Sequence, residues 1–180
     1  MKNELFENDY YRMTGERYSI SLRMCKYFLA MHNIRYMYYY RKYQQSKGFL
    51  WRLLLYRLSR KYGLEIAVTA DIGEGFYLGH PYNITVGGDV KIGKNVNLHK
   101  GCTIGRENRG KRAGVPTIGD NVAVGINATI VGNITIGSDV MIAPNSFVNF
   151  DVPDHSVVIG NPGVIHYREN ATEGYIGFQV

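Results

Sequence analysis

Aliphatic residues recur at every sixth position along the second half of the chain. The series runs from Ile66 to Cys102, stops, and resumes from Ile118 to Val148. Its positions are Ile66, Ile72, Leu78, Ile84, Val90, Val96, Cys102, Ile118, Val124, Ile130, Ile136, Ile142 and Val148. A six-residue period fits neither one amphipathic helix nor a β-meander. It indicates a solenoid with three flat faces and roughly eighteen residues per coil. We predict about four to five such coils over residues 64–150.

Three features depart from this period. There is a second aliphatic series, and each of its members comes two residues after a member of the first: Val86, Ile92, Leu98 and Ile104. The register of the repeat is therefore ambiguous in this region. Residues 105–117 exceed the repeat by about eight residues and are expected to bulge outward as a loop. Residues 151–180 leave the pattern, and we expect them to close the solenoid and end in a tail.

Residues 1–63 have a helical pattern instead. No Gly or Pro occurs from Tyr18 to Gln45, which predicts one long helix, and a second helix is predicted from Lys47 to Tyr62. Gly63 then stands where a helix C-cap glycine belongs. The second helix has one apolar stripe, formed by Leu50, Leu53, Leu54 and Leu58. We expect this stripe to pack on the solenoid or on a partner subunit, and the alternative is peripheral contact of residues 47–62 with a membrane.

Composition narrows the choice of function. The net charge is +6, but no nucleic-acid-binding motif accompanies it, so we expect no nucleic-acid partner. No run of about 18 apolar residues occurs, and the N-terminus does not resemble a signal peptide. The two cysteines, Cys25 and Cys102, lie far apart and form no disulfide framework. These features lead us to expect a cytoplasmic protein.

The repeat sequence resembles the hexapeptide-repeat acyltransferases, and within them the serine acetyltransferase branch. The resemblance is carried by EIAVTADIGEGFYLGHPYNITVGGDVKIGKNVNLHKGCTIG, PTIGDNVAVGINATIVGNITIGSDVMIAPNSFV and VPDHSVVIGNPGVI, and it covers about residues 47–166. It implies a mainly β fold, a left-handed parallel β-helix preceded by a short α-helical segment. It also implies a homotrimer with active sites between subunits, acetyl-CoA as co-substrate and no required metal.

Acetyl transfer from a thioester to an alcohol needs a base that takes the hydroxyl proton, and histidine suits neutral pH. Of the five histidines, His80 in YLGHPYNITV matches the catalytic histidine of the branch. Glu65 stands fifteen residues earlier, at the spacing where the branch has an aspartate that orients the histidine. We therefore expect His80 to be the general base and Glu65 to fix its tautomer, with a merely solvated Glu65 as the alternative.

Other candidate residues follow from the resemblance. His99 could face the same groove and contact substrate, or be structural. The metal site of γ-type carbonic anhydrases needs a third histidine, which the pattern lacks. Arg109 and Arg112 of the basic loop are candidates for binding the acceptor or a coenzyme phosphate, or are simply solvated. Expected coenzyme contacts are Gly105, Gly125, Ala143, Asn145, Asn161 and Pro162.

Two features, at three positions, depart from true serine acetyltransferases. Gly79 replaces an aspartate before the catalytic histidine, and Gly114–Val115 replaces an Arg-His pair. Because these groups help to hold a zwitterionic serine, we expect a hydroxyl of a sugar or glycan precursor as the acceptor. Serine O-acetyl transfer in cysteine synthesis is the alternative, and a non-catalytic scaffold is the third hypothesis.

Overall fold

The computed structural model describes residues 3–180 of the chain. Within them, helices precede a solenoid of about five coils, which confirms the predicted left-handed parallel β-helix with an N-terminal helical segment. The helices are α1 (Glu4–Thr14), α2 (Leu22–Ala30), α3 (His32–Ser46) and α4 (Phe49–Tyr62). No helix of residues 3–180 is long and apolar enough to cross a membrane.

The prediction of one helix from Tyr18 to Gln45 is wrong. The helix is interrupted at Met31, whose extended backbone (φ −105°, ψ 109°) ends α2 and begins α3. α3 buries a face that includes Ile34, Met37 and Tyr40, whereas α2 buries no residue. The interruption lets α3 pack on the solenoid while α2 takes a different direction. Tertiary packing therefore overrides a helical pattern that contains no breaker residue.

Three parallel sheets form the walls of the solenoid. Sheet A contains β1 (Glu65–Ile66), β4 (Thr85–Val86), β7 (Thr103–Gly105), β10 (Thr129–Val131) and β13 (Phe147–Val148). Sheet B contains β2 (Asp71–Ile72), β5 (Lys91–Ile92), β8 (Thr117–Ile118) and β11 (Thr135–Ile136). Sheet C contains β3 (Tyr77–Gly79), β6 (Asn97–His99), β9 (Val122–Val124), β12 (Val140–Ile142), β14 (Ser156–Ile159) and β15 (Val164–Tyr167).

Both aliphatic series of the ambiguous region point into the core. Val86 and Leu98 of the second series lie in strands, and Ile84 and Val96 of the first series are buried in the turns just before those strands. Each face of these coils therefore buries two aliphatic side chains, which makes the apolar stack continuous from coil to coil.

The coils differ in length at two corners. The sheet A register advances by 20 residues from Glu65 to Thr85 but by 18 from Thr85 to Thr103, so the first coil carries two extra residues. These extra residues fall between sheet C and sheet A, after β3. The sheet C register advances by 26 residues from Asn97 to Ala123, because the predicted loop lies between β7 and β8.

A buried ion pair joins the helices to the first coil. Arg41 of α3 donates from Nε to Asp9 of α1 at 2.8 Å, and both side chains are almost fully buried. Arg41 also donates to the carbonyls of Ile72 and Gly73 at 2.7 and 2.6 Å, and Asp9 accepts from the Phe76 amide at 2.8 Å. Every charged atom of the pair thus has a partner, which offsets the cost of taking both ions out of water.

The C-terminal segment closes the last coil and then returns along the solenoid. β15 pairs antiparallel with β14, in contrast to the parallel pairs of the coils. The chain then reaches the second coil, where Asn95 exchanges two hydrogen bonds with Val180 (2.9 and 3.0 Å). Asn97 donates to the carbonyl of Tyr175 at 2.9 Å, and Arg12 of α1 donates to that of Gly177. The tail therefore connects α1 to the solenoid.

Candidate active site

His80 lies on the corner that carries the two extra residues. It follows β3 directly, its backbone is left-handed (φ 47°) and its side chain is exposed. Its carbonyl accepts from the amide of Tyr82 at 2.8 Å, which closes a tight turn at Pro81. The sequence thus places an accessible imidazole at a fixed point between sheets C and A.

The start of α3 holds this corner on both sides of His80. Asn33 donates from Nδ2 to the carbonyl of Leu78 at 3.1 Å. His32 lies 3.0 Å from the carbonyl of Pro81, and because a carbonyl only accepts, His32 donates from Nε2. The His32 ring stacks on Tyr62 at a centroid distance of 3.9 Å, and burial lowers the pKa of His32, which favours the neutral ring. Sequence reasoning missed His32 and Asn33, because no spacing pattern links them to His80.

His99 occupies the next coil, directly beside the residue before His80. The strand register pairs it with Gly79, and a Cβ atom on Gly79 would lie only 2.5 Å from the His99 Nδ1. Burial, followed by the nearby His80, lowers the pKa of His99, which favours a neutral ring at neutral pH. The two histidines thus lie on consecutive coils at the same edge. Within residues 3–180, no group of three His, Cys, Asp or Glu side chains is placed to hold a metal ion.

Glu65 lies on the other side of the corner, at the start of β1. Its side chain is exposed, and the register places it beside Thr85, five residues past His80. Within residues 3–180 it makes no hydrogen bond to His80, so its orienting role stays a prediction. Glu65 lines a groove of about 780 Å³ that it shares with Arg60 of α4 and with Asn83, which ends the His80 corner.

Most of the expected coenzyme contacts lie on the same edge as the histidines. Continuing the sheet C register by one residue places Gly125 and Ala143 on the two coils that follow His99. Asn145 is on that corner as well, with a left-handed backbone (φ 60°), and Asn161–Pro162 follows β14. Gly105 does not belong to this series, since it ends β7 at the opposite edge of sheet A.

Arg109 and Arg112 are not brought to His80 within one chain. Their loop leaves sheet A at the edge away from the His80 corner, and a short antiparallel bridge between Glu107 and Gly114 closes it. Both side chains are exposed. The Arg112 carbonyl accepts from Asn133 at 2.9 Å, which anchors the loop backbone. Any contact of these arginines with a substrate near a histidine requires a second subunit.

Comparison with known proteins identifies the relatives of this chain. Residues 116–149 match the family model described as bacterial transferase hexapeptide (six repeats). The chain is 37% identical over 147 residues to serine acetyltransferase 4 of Arabidopsis thaliana, covering 81% of this chain and 40% of that protein. It is 39% identical over 125 residues to the serine acetyltransferase of Staphylococcus xylosus, covering 68% and 57%. The chain thus spans roughly half the length of these relatives.

Solved structures give the same result. The soybean serine acetyltransferase complexed with serine superimposes with a TM-score of 0.72 at 28% identity, covering 89% of this chain and 67% of that one. The Neisseria gonorrhoeae serine acetyltransferase gives a TM-score of 0.69 at 28% identity, covering 92% and 64%.

The expectation of a sugar hydroxyl as acceptor is wrong, because these relatives and structural neighbours are serine acetyltransferases. That expectation treated the replacements at Gly79 and at Gly114–Val115 as a loss of the charged groups that hold serine. The structure fills the space at Gly79 with the His99 ring, and the groove beside the corner contains both Arg60 and Glu65. The match of sequence and fold identifies the chain as a serine acetyltransferase-like member of the hexapeptide-repeat acyltransferases.

Proposed function

We propose that this protein transfers the acetyl group of acetyl-CoA to the hydroxyl of serine, with His80 as the general base. The observation that carries the proposal is the exposed His80 imidazole on the corner that carries two extra residues. Small residues follow His80 along the same edge of the solenoid on the later coils. The similarity to serine acetyltransferases supports the choice of reaction and of acceptor. A non-catalytic scaffold has no comparable support.

The proposed reaction needs no covalent enzyme intermediate, because the thioester is already activated. His80 takes the hydroxyl proton while the serine oxygen attacks the acetyl carbon. The carbon–sulfur bond then breaks, and the proton passes from the imidazolium to the departing thiolate. Glu65, if it contacts His80 in the substrate complex, would stabilise the imidazolium.

The groove beside the corner offers a partner for the carboxylate of a zwitterionic acceptor. Arg60 lines this groove, and its guanidinium suits the carboxylate of serine. Burial lowers the pKa of His99, which favours its neutral ring, and His99 is proposed to contact the hydroxyl or the thioester. On the same edge, Gly125, Ala143, Asn145, Asn161 and Pro162 are proposed to contact the pantetheine chain. Gly105, Arg109 and Arg112 would contribute from a neighbouring subunit of a homotrimer.

Release of free thiol from acetyl-CoA tests the proposal. With serine present, we expect thiol release well above the rate without an acceptor. His80→Asn should lower kcat by roughly two to four orders of magnitude, as for loss of a general base. His166→Asn is the matched control, because His166 is an exposed histidine on β15, away from this corner, and it should leave the rate unchanged. Serine-independent thiol release, or full activity of His80→Asn, would contradict the proposal.

A further inference from the structure

Helix α2 presents apolar side chains to the outside of the molecule. Leu22 and Leu29 are 91% and 76% exposed, and Ile20, just before the helix, is 88% exposed. Lys26 is four residues after Leu22 and three before Leu29, so the three side chains share one face of the helix. α2 packs on the rest of the chain through Met24, Tyr27 and Phe28, which are partly buried, while its leucine face stays exposed.

Helix α4 has a similar outward face. Phe49 and Leu50 are 80% and 59% exposed in its first turn, and Leu53 follows on the same side. Arg57 and Arg60 continue this face toward the end of the helix, at helical spacing from Leu50 and Leu53. The outer surface of α4 thus changes from apolar to cationic along its length.

A groove joins the two helices into one surface. It has a volume of about 610 Å³, with Phe28 and Leu29 of α2 on one side and Leu50, Trp51 and Leu54 of α4 on the other. We call this surface the basic apolar face. It consists of the groove, the exposed residues Ile20, Leu22, Leu29, Phe49, Leu50 and Leu53, and the neighbouring cations Lys26, Arg52 and Arg57.

The positive charge of residues 16–62 favours an anionic partner for this face. Residues 16–62 contain eleven Lys and Arg residues but a single acidic residue, Glu16. Arg41 is buried against Asp9, whereas Lys26, Arg52 and Arg57 are exposed. Two copies of this face would repel each other, while a layer of anionic phosphates would attract it. Apolar side chains interspersed with Lys and Arg are typical of helices that lie in the interface of a bilayer.

We propose that the basic apolar face docks on an anionic phospholipid bilayer. Leucine, isoleucine and phenylalanine side chains enter the boundary between headgroups and acyl chains, and the cations contact lipid phosphates. The proposal takes up the alternative given for residues 47–62, peripheral contact with a membrane, and extends it to helix α2 and to a defined lipid charge. It does not depend on the proposed acetyl transfer.

Vesicle flotation of the full chain tests this docking. We expect binding to phosphatidylcholine vesicles with about 30% phosphatidylglycerol, and much weaker binding to phosphatidylcholine alone. About 0.5 M NaCl should release most of the bound protein, because salt screens the charges. Equal binding to both vesicles, or binding to neither, would overturn the proposal.

Two sets of variants locate the contact. Leu22→Ser with Leu29→Ser and Leu50→Ser should weaken binding roughly ten-fold or more, because the apolar area is lost. Lys26→Gln with Arg52→Gln and Arg57→Gln should have a similar effect through lost attraction to lipid phosphates. The matched control removes three exposed cations elsewhere, by Lys91→Gln with Lys111→Gln and Arg168→Gln, and should bind like the parent.

Oligomeric state and folding provide the remaining readouts. If the leucine variant changes the molecular mass in solution instead of vesicle binding, the face is an interface between copies and the proposal is wrong. Far-UV circular dichroism and thermal unfolding of each variant verify folding, independently of any activity. Failure of the proposed acetyl transfer would leave the vesicle result unaffected.

Discussion

At the scale of single residues, the acceptor side of the candidate site depends on a glycine. Gly79 leaves room for the His99 ring, since a Cβ atom there would lie 2.5 Å from Nδ1 and 2.7 Å from Cε1. True serine acetyltransferases have an aspartate at this position. Here the same space is occupied by an imidazole from the next coil, so the two positions are coupled through direct contact.

This coupling is testable with a double-mutant cycle. Gly79→Asp should lower the free energy of unfolding by about 1–3 kcal/mol, because it overpacks the site. His99→Ser in the same chain should restore most of the loss, because it removes the ring that the aspartate meets. Urea unfolding of the parent, both single variants and the double variant measures the interaction. Additive effects of the two substitutions would show that the contact carries no energy.

Arg60 provides a second prediction at this scale. If it binds the serine carboxylate, Arg60→Gln should raise the KM for serine roughly ten-fold, the effect of losing one charge-assisted hydrogen bond. The KM for acetyl-CoA should stay unchanged. Arg57→Gln is the matched control, since Arg57 is exposed on the same helix and does not line the groove. A change in both KM values, or in neither, would rule out this role.

At the scale of elements, helix α3 supports the corner that carries His80. Asn33 and His32 contact the carbonyls of Leu78 and Pro81, on either side of the catalytic candidate. The first coil is two residues longer than the next one at this point, and a longer turn needs additional contacts to keep one conformation. α3 provides those contacts, although it is distant in sequence from the corner.

His32 is accordingly expected to act as a positioning residue. His32→Ala should lower kcat by roughly ten- to hundred-fold, because a small displacement of the base is costly. The KM for acetyl-CoA should change little, and His32→Gln should recover part of the rate, since an amide can still donate to Pro81. A general loss of stability would instead lower the fraction of active protein and leave both kinetic constants of the remainder intact. Active-site titration together with steady-state kinetics separates the two outcomes.

At the scale of the whole molecule, the C-terminal tail and the ion pair of Arg41 with Asp9 attach the helices to the solenoid. The tail reaches the second coil and α1. The Phe178 ring packs edge-on against the Tyr11 ring of α1, with a distance of 5.8 Å between the ring centroids. The helical segment that presents the basic apolar face is therefore fixed relative to the coils that carry His80.

Removal of residues 175–180 tests this attachment. It leaves the side chains of Asn95, Asn97 and Arg12 without their partners in the tail, so we expect a loss of about 2–4 kcal/mol of stability. Hydrogen exchange should be faster in α1 than in the parent protein and unchanged in the last coils. Glu173→Gln, at an exposed position of the same tail, is the control. Unchanged protection of α1 would contradict the expected role.

The sequence by itself determined the solenoid, its loop and the candidate base. The six-residue period is a local property, because each aliphatic position must fill the same kind of site in the coil core. His80 was proposed from its motif and the coenzyme candidates from the resemblance. Gly125, Ala143 and Asn145 belong to the repeat, whereas Asn161 and Pro162 follow it. α1 also has local signals in the sequence, the Asn3 cap at its start and Gly15 at its C-terminal end.

Tertiary structure alone decided the remaining features. The helix interruption at Met31 is one of them, because it allows α3 to pack on the solenoid. The support of the corner by His32 and Asn33 and the return of the tail are others, and both join residues that are distant in sequence. The groove that brings Arg60 and Glu65 together with Asn83 and Gly87 is another example. Such contacts depend on how the helices pack on the first coils, and no periodic pattern in the chain encodes that packing.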